Sequence, residues 1–147
     1  MIDMIKVGVA GYGMVGKLRS RFIKGHNSLI LAAVCDKNFQ DDGIFDDGTV
    51  YYNSYNKLLN HDLDALFVCL TNDVNAYVTI KGLQKGLHVF CEKPPGQNLR
   101  QVEKVIEVEK ENPGLKLKYG FNHRYHDSVK EALDIINKNK LGSIVDI

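Results

Sequence analysis

IKVGVAGYGMVG, residues 5–16, is an apolar run that breaks into glycines at Gly11, Gly13 and Gly16. Physically it is a buried strand feeding a tight turn and then the first turn of a helix, an arrangement whose free backbone N–H groups can receive a pyrophosphate. Glycines at this spacing are common, so the neighbouring sequence has to decide whether the loop is such a site. Met14–Lys24 places apolar residues at Met14, Val15, Leu18, Phe22 and Ile23, which is helical spacing with the basic residues on the other side. Gly25, His26 and Asn27 end that helix, and LILAAVC, Leu29–Cys35, is a second continuous apolar run. Two such runs bracketing one helix make a βαβ unit. Parallel strands covered on both faces explain why the runs are apolar throughout instead of alternating.

Asp36 closes the second strand, about 25 residues beyond Gly11, where a carboxylate can accept hydrogen bonds from the ribose hydroxyls of an adenosine. It also repels a 2′-phosphate, which favours NAD over NADP. Lys37, beside it, offers a cation that softens this preference. Asn38–Asn53 is polar and glycine-punctuated; its aspartates 41, 42, 46 and 47 lack the spacing and the distal glutamate of a calcium loop, so a solvated loop is expected. Tyr51 and Tyr52 suggest a short strand, and Ser54 caps a brief helix through Leu58 and Leu59.

Further along, DALFVCL, Asp64–Leu70, is another buried strand that ends in Thr71-Asn72, and a helix is expected from Asn75 through Tyr77, Val78, Ile80 and Leu83 to Lys85-Gly86. HVFC, His88–Cys91, is a strand followed at once by Glu92-Lys93-Pro94-Pro95-Gly96. Two opposite charges at a strand tip, next to prolines that cannot extend a ladder, make a rigid polar corner on the edge where open α/β sheets bind ligands. Asn98–Glu111 is a helix with Leu99, Val102 and Ile106 on its apolar face, and Leu115–Phe121 is one more strand, leading to Asn122-His123-Arg124. A last helix runs from Asp127 or Ser128 to about Asn139, and Ser143–Ile147 begins a new strand. An apolar strand at the very end of the sequence would leave an edge with nothing to pair to, which leads us to expect the N-terminal part of a larger protein.

The chain has 147 residues, 44% of them hydrophobic, with 19 Lys plus Arg against 18 Asp plus Glu. A net charge of +1 gives no electrostatic case for nucleic acid or a membrane surface, and the longest apolar runs are too short to span a bilayer. Cys35, Cys69 and Cys91 are odd in number and lack a CxxC spacing, which argues against a disulfide framework or a zinc site and for a reducing, cytoplasmic setting. The pattern as a whole is that of an α/β protein with a Rossmann-like, doubly wound parallel sheet.

GYGMVG after the first strand, Asp36 ending the second, HVFCEKPPG at 88–96, GFNHRYH at 120–126 and the KLGSIVDI ending together resemble the glucose-fructose oxidoreductase, inositol dehydrogenase and rhizopine-catabolism (Gfo/Idh/MocA) family of NAD(P)-dependent oxidoreductases. The resemblance implies a dinucleotide-binding domain over residues 1–122, with residues 123–147 opening a second α/β domain that carries the rest of a sugar pocket and the subunit contacts of a homo-oligomer. It implies NAD as cofactor, NADP less so, and no metal. Gly11, Gly13, Met14, Val15 and Gly16 would surround the pyrophosphate, Asp36 and Lys37 would meet the adenosine ribose, and Leu70 and Thr71 would lie along the cofactor. Glu92 would face the nicotinamide ribose, Lys93 would stand where nicotinamide meets substrate, and Asn122 would line the same cleft.

Lys93 suits this chemistry. Oxidising a secondary alcohol needs a group that holds the hydroxyl and helps its proton leave, and a neighbouring cation disfavours the ammonium form of a lysine. The sequence also departs from many relatives, reading Leu70-Thr71 where they have a Thr-Pro pair and Asn75 where they have a histidine, so any role of Asn75 is hydrogen bonding only. The family's Asp-x-x-x-His pair belongs to the second domain. The expected function is hydride transfer between NAD and a hydroxyl of a small sugar or sugar derivative, including a nucleotide-linked one; the alternative is a regulatory module that binds NAD(H) without turnover.

Overall fold

The computed structural model describes residues 4–143 and residue 145. One seven-stranded sheet runs through it in the order β3-β4-β2-β1-β5-β6-β7, with β1 Ile5–Ala10, β2 Leu29–Cys35, β3 Gly43–Ile44, β4 Val50–Tyr52, β5 Ala65–Val68, β6 His88–Cys91 and β7 Leu117–Tyr119. Every neighbouring pair is parallel except the short β3–β4 pair. The helices are α1 Met14–Lys24, α2 Tyr55–Leu58, α3 Asn72–Gln84, α4 Leu99–Glu111 and α5 Asp127–Asn137, with a 3₁₀ turn at Asn122–Tyr125.

The sheet is covered on both sides, as continuous apolar strands require. Val7 and Val9 of β1, with Leu31 and Val34 of β2, pack on one face against Ile23 of α1. Ala10, Leu66, Val68 and Val89 pack on the other against Leu58 of α2, Val78 and Leu83 of α3 and Val105 of α4. The chain leaves β1 toward β2 on one side and returns through β5 on the other. This reversal opens a crevice beyond the carboxyl ends of β1 and β5.

Helix α1 corrects the amphipathic reading. Its buried residues are Gly16, Ser20 and Ile23, whereas Met14 is 89% exposed and Phe22 65% exposed. The reason is how closely the helix approaches the strand it follows: a Cβ on Gly16 would stand 1.8 Å from the carbonyl oxygen of Gly11. Only small residues, Gly16 and Ser20, fit on the inner stripe where the helix starts so close to the strand, and Ile23 enters the core a turn further on, so Met14, Val15, Leu18 and Phe22 are left outside. Gly11 itself has φ +91°, in the left-handed region that favours glycine.

Other boundaries shift for local reasons. Helix α3 begins at Asn72, three residues before the expected start, with Thr71 in extended conformation as its N-cap and Asp73 in its first turn. Helix α4 buries Val105 and leaves Leu99 and Ile106 exposed, because it packs through the Val105 side on the face shared with α3. The loop expected to be solvated holds β3, and its Phe39 and Phe45 pack with Tyr12 and Tyr51. Strands β5 and β7 are shorter than the apolar runs that contain them. The strand expected over Ser143–Ile147 rests on residues 144, 146 and 147, which lie outside the described residues.

Candidate active site

All the parallel strands end on one edge of the sheet, and β2, β1, β5 and β6 are consecutive there. Their tips carry Asp36, the Gly11–Gly13 turn, Leu70-Thr71 and Glu92-Lys93, respectively. Three strand spacings separate the first tip from the last, roughly 14 Å. A ligand that spans this edge must be elongated.

The turn after β1 is locked to the tip of β2. The Gly11 N–H donates to the Cys35 carbonyl at 2.9 Å, and the Tyr12 N–H donates to Asp36 Oδ2 at 2.9 Å. Asp36 Oδ1 accepts from both the backbone N–H and the side-chain amide of Asn38, at 2.9 and 2.8 Å. The carboxylate is therefore held in place before any ligand arrives, and Oδ2 keeps a lone pair for a further donor.

At the start of α1, Gly13 is the N-cap and offers no side chain to cap the helix, and the first turn contains no acidic residue. The first backbone N–H that finds an intrahelical partner is that of Lys17, which donates to the Gly13 carbonyl. The helix thus presents unpaired N–H groups and the positive end of its dipole, both suited to an anion. A Cβ on Gly13 would meet nothing within 4 Å, so the space in front of this helix end is open.

That space belongs to a cleft of about 460 Å³. Gly11, Gly13, Met14, Val15, Asp36, Lys37, Leu70 and Thr71 all line it, so eight of the residues singled out from the sequence are brought together there. Asn38, Asn53, Ser54, Tyr55, Asp73 and Val74 line it as well and were missed. Asp73 was discernible as a first-turn carboxylate of a helix capped by Thr71. Asn53–Tyr55 was not, because only the pairing of β4 with β2 brings that loop to the edge. Two carboxylates, Asp36 and Asp73, thus face one cation, Lys37, a balance that disfavours a second phosphate at this end. The Thr71 hydroxyl beside Asp73 keeps its carboxyl below the usual carboxylate range. Cys35 and Cys69 also line the cleft, but burial pushes each thiol up to about 12, so neither supplies a thiolate nucleophile near neutral pH.

Five of the expected site residues lie outside that cleft. Gly16 is buried behind the turn, against the Gly11 carbonyl. Asn75 is 1% exposed on α3, and its side-chain amide donates to the Pro94 carbonyl at 3.4 Å. Glu92 is turned toward α1, where Arg19 holds it. Lys93 is exposed at the tip of β6, and the Lys93–Pro94 peptide is cis. Asn122 opens the 3₁₀ turn and lines a smaller cavity of about 190 Å³ with Arg19, Phe90 and Tyr125. Among the described residues no group of three or more His, Cys, Asp or Glu could hold a metal ion, and no helix is long and apolar enough to cross a membrane.

Residues 5–121 match the sequence model of GFO_IDH_MocA, described as an oxidoreductase family with an NAD-binding Rossmann fold. The inositol 2-dehydrogenase of Salmonella typhimurium is 28% identical over 144 residues, covering 94% of this chain and 43% of that protein. The D-glucoside 3-dehydrogenase of Escherichia coli is 27% identical over 145 residues, covering 95% of this chain and 41% of that protein. The crystal structure of scyllo-inositol dehydrogenase from Lactobacillus casei with bound NAD(H) and scyllo-inositol superimposes with a TM-score of 0.84 at 25% identity, over 97% of this chain and 43% of that one. The chain spans less than half the length of these relatives.

Proposed function

The chain belongs to the oxidoreductase family with an NAD-binding Rossmann fold, and from that premise we propose that it is the cofactor-binding part of an NAD-dependent dehydrogenase. The reaction is hydride transfer between nicotinamide and a secondary hydroxyl of a sugar or cyclic polyol. The substrate class is supported by the inositol and glucoside dehydrogenases it is similar to. A second α/β domain completes the pocket beyond residue 122, as the longer relatives suggest. The three free cysteines fit a reducing, cytoplasmic compartment.

One observation carries the reading: the open, uncapped end of α1 shares its cleft with Asp36, while Lys93 stands on the same sheet edge two strands beyond the glycine turn. The first-turn N–H groups at Met14 and Val15 hold the pyrophosphate. Asp36 takes the adenosine ribose hydroxyls on its remaining lone pair, and Leu70 and Thr71 flank the middle of the groove. When bound there, the nicotinamide supplies the hydride acceptor. Lys93 holds the substrate hydroxyl and takes its proton as the C–H bond breaks, a role that needs the free amine. With Asp36 and Asp73 at the adenosine end, a 2′-phosphate meets two carboxylates.

Titration of the chain with each reduced cofactor tests this. NADH is expected to bind more tightly than NADPH by about tenfold or more, the effect of roughly 1.4 kcal/mol of charge repulsion. Asp36→Ala is expected to narrow that gap mainly by weakening NADH. Tighter binding of NADPH by the unaltered chain would overturn the assignment of Asp36.

A further inference from the structure

The corner that carries Lys93 is gripped from both faces of the sheet. From α1, Arg19 directs two nitrogens at one oxygen of Glu92: Nε at 2.6 Å and Nη2 at 2.5 Å. Its guanidinium lies over the Phe90 ring, 5.1 Å from the centroid. The second Glu92 oxygen lies close to Gly120, where an added Cβ would stand 2.8 Å from it. The Glu92 side chain is only 13% exposed and that of Arg19 26%. A planar fork on a partly desolvated carboxylate, stacked on an aromatic ring, is a rigid contact, unlike the long-stemmed pairs on the surface. From α3, the buried Asn75 amide donates to the Pro94 carbonyl, one residue beyond Lys93. Lys93 therefore sits between two held neighbours while remaining exposed itself.

We propose that Arg19 and Glu92 are positioning residues for Lys93, a clamp that ties the reactive corner to the same helix whose N-terminus receives the pyrophosphate. Asn75 is the second jaw. Through α1, the lysine keeps a constant distance from the cofactor anchor, and Glu92 acts by facing Arg19 instead of a ribose. The physical case is that the pair joins two elements that are far apart in sequence and flank the same edge; an ion pair meant only to add stability has no need to converge on the residue preceding Lys93. This inference rests on the reading of Lys93 as the group beside the nicotinamide.

The experiment needs no substrate. The rate at which acetic anhydride modifies the Lys93 amine is followed by mass spectrometry in the unaltered chain, in Arg19→Met, in Glu92→Gln and in the double variant, without NADH and with NADH at saturation. Arg19→Lys keeps the charge and stem, giving a variant that folds should Arg19→Met fail to do so. Bound NADH is expected to slow modification of Lys93 by about tenfold in the unaltered chain. Each single variant loses most of that protection, the double loses no more than either single, and the affinity for NADH stays within about threefold. Arg19→Lys, which replaces the fork by a point charge, restores only part of the protection.

If the unaltered chain shows no protection of Lys93, the reading of Lys93 itself fails. If it is protected and all the variants are protected equally, Lys93 is correctly read and the clamp is refuted. If Glu92→Gln weakens NADH by about tenfold or more while Lys93 stays protected at saturation, Glu92 is a cofactor contact and the proposal is likewise overturned.

Discussion

Replacing Gly16 by alanine is expected to abolish measurable NADH binding and to lower the melting temperature of the chain. A methyl group there falls 1.8 Å from the Gly11 carbonyl oxygen, a backbone atom that cannot swing aside. Relief requires α1 to retreat from β1 by more than an ångström, or Gly11 to leave the left-handed conformation that turns the chain between them. Either movement pulls the first-turn N–H groups of α1 away from the cleft and breaks the register between the Tyr12 N–H and Asp36. Overpacking of this kind costs about 1–3 kcal/mol. In a chain of this size each kcal/mol lowers the melting temperature by about 2–4 °C. Thermal unfolding and NADH titration of the variant check both effects, and unaltered binding would show that the close approach of helix to strand is unimportant for the cleft.

Lys93→Ala is expected to lower turnover by about 10²–10⁴-fold, the usual worth of a positioned acid–base group, while leaving NADH affinity within a few-fold of the original. Lys93 is exposed at the tip of β6, outside the core, so its removal leaves the fold intact. The measurement is NADH formation from NAD⁺ and a cyclic polyol by the full-length protein. A drop in turnover without a drop in affinity assigns Lys93 to the chemistry. Normal turnover by the variant would remove it, and an unaltered protein that binds NADH but oxidises no polyol or sugar would favour the regulatory reading over the enzyme.

The order of strands and helices was legible because a continuous apolar run followed by glycine or a polar turn has few alternatives, as at Val7–Gly13 and Leu31–Asp36. The cleft was legible in the same places: its walls are the residues that follow each strand, which sequence order alone identifies at Asp36, Leu70 and Thr71. Packing between elements was much less so. Helix α1 shows why: Met14, Val15, Leu18 and Phe22 face outward and only Ile23 of its large apolar residues is buried, since the distance between helix and strand is set by Gly16, and hydrophobic periodicity carries no information about distance. Arg19 was hidden for a related reason. It looked like one more basic residue on a solvated face, but it flanks the Gly16–Ser20–Ile23 stripe and so reaches Glu92 of β6. Contacts between residues 73 positions apart leave no local signal. Asn53–Tyr55 reached the cleft only through a pairing between β4 and β2 that no periodicity encodes.

The central claim is that the open end of α1 receives the pyrophosphate of NAD, and Gly13→Val tests it most directly. Gly13 has φ −71° and ψ −162°, which any L residue adopts, and a Cβ there meets nothing within 4 Å. The fold therefore tolerates valine at this position, but a ligand seated against the helix end does not. Titrated with NADH alongside the unaltered chain, the variant should stay folded, with a melting temperature lowered by no more than the few degrees a poorer N-cap costs, and lose NADH binding by about 10²-fold or more, the worth of the roughly 3 kcal/mol that displacing an anion from its donors costs. A Gly13→Val chain that binds NADH as the unaltered chain does would contradict the account.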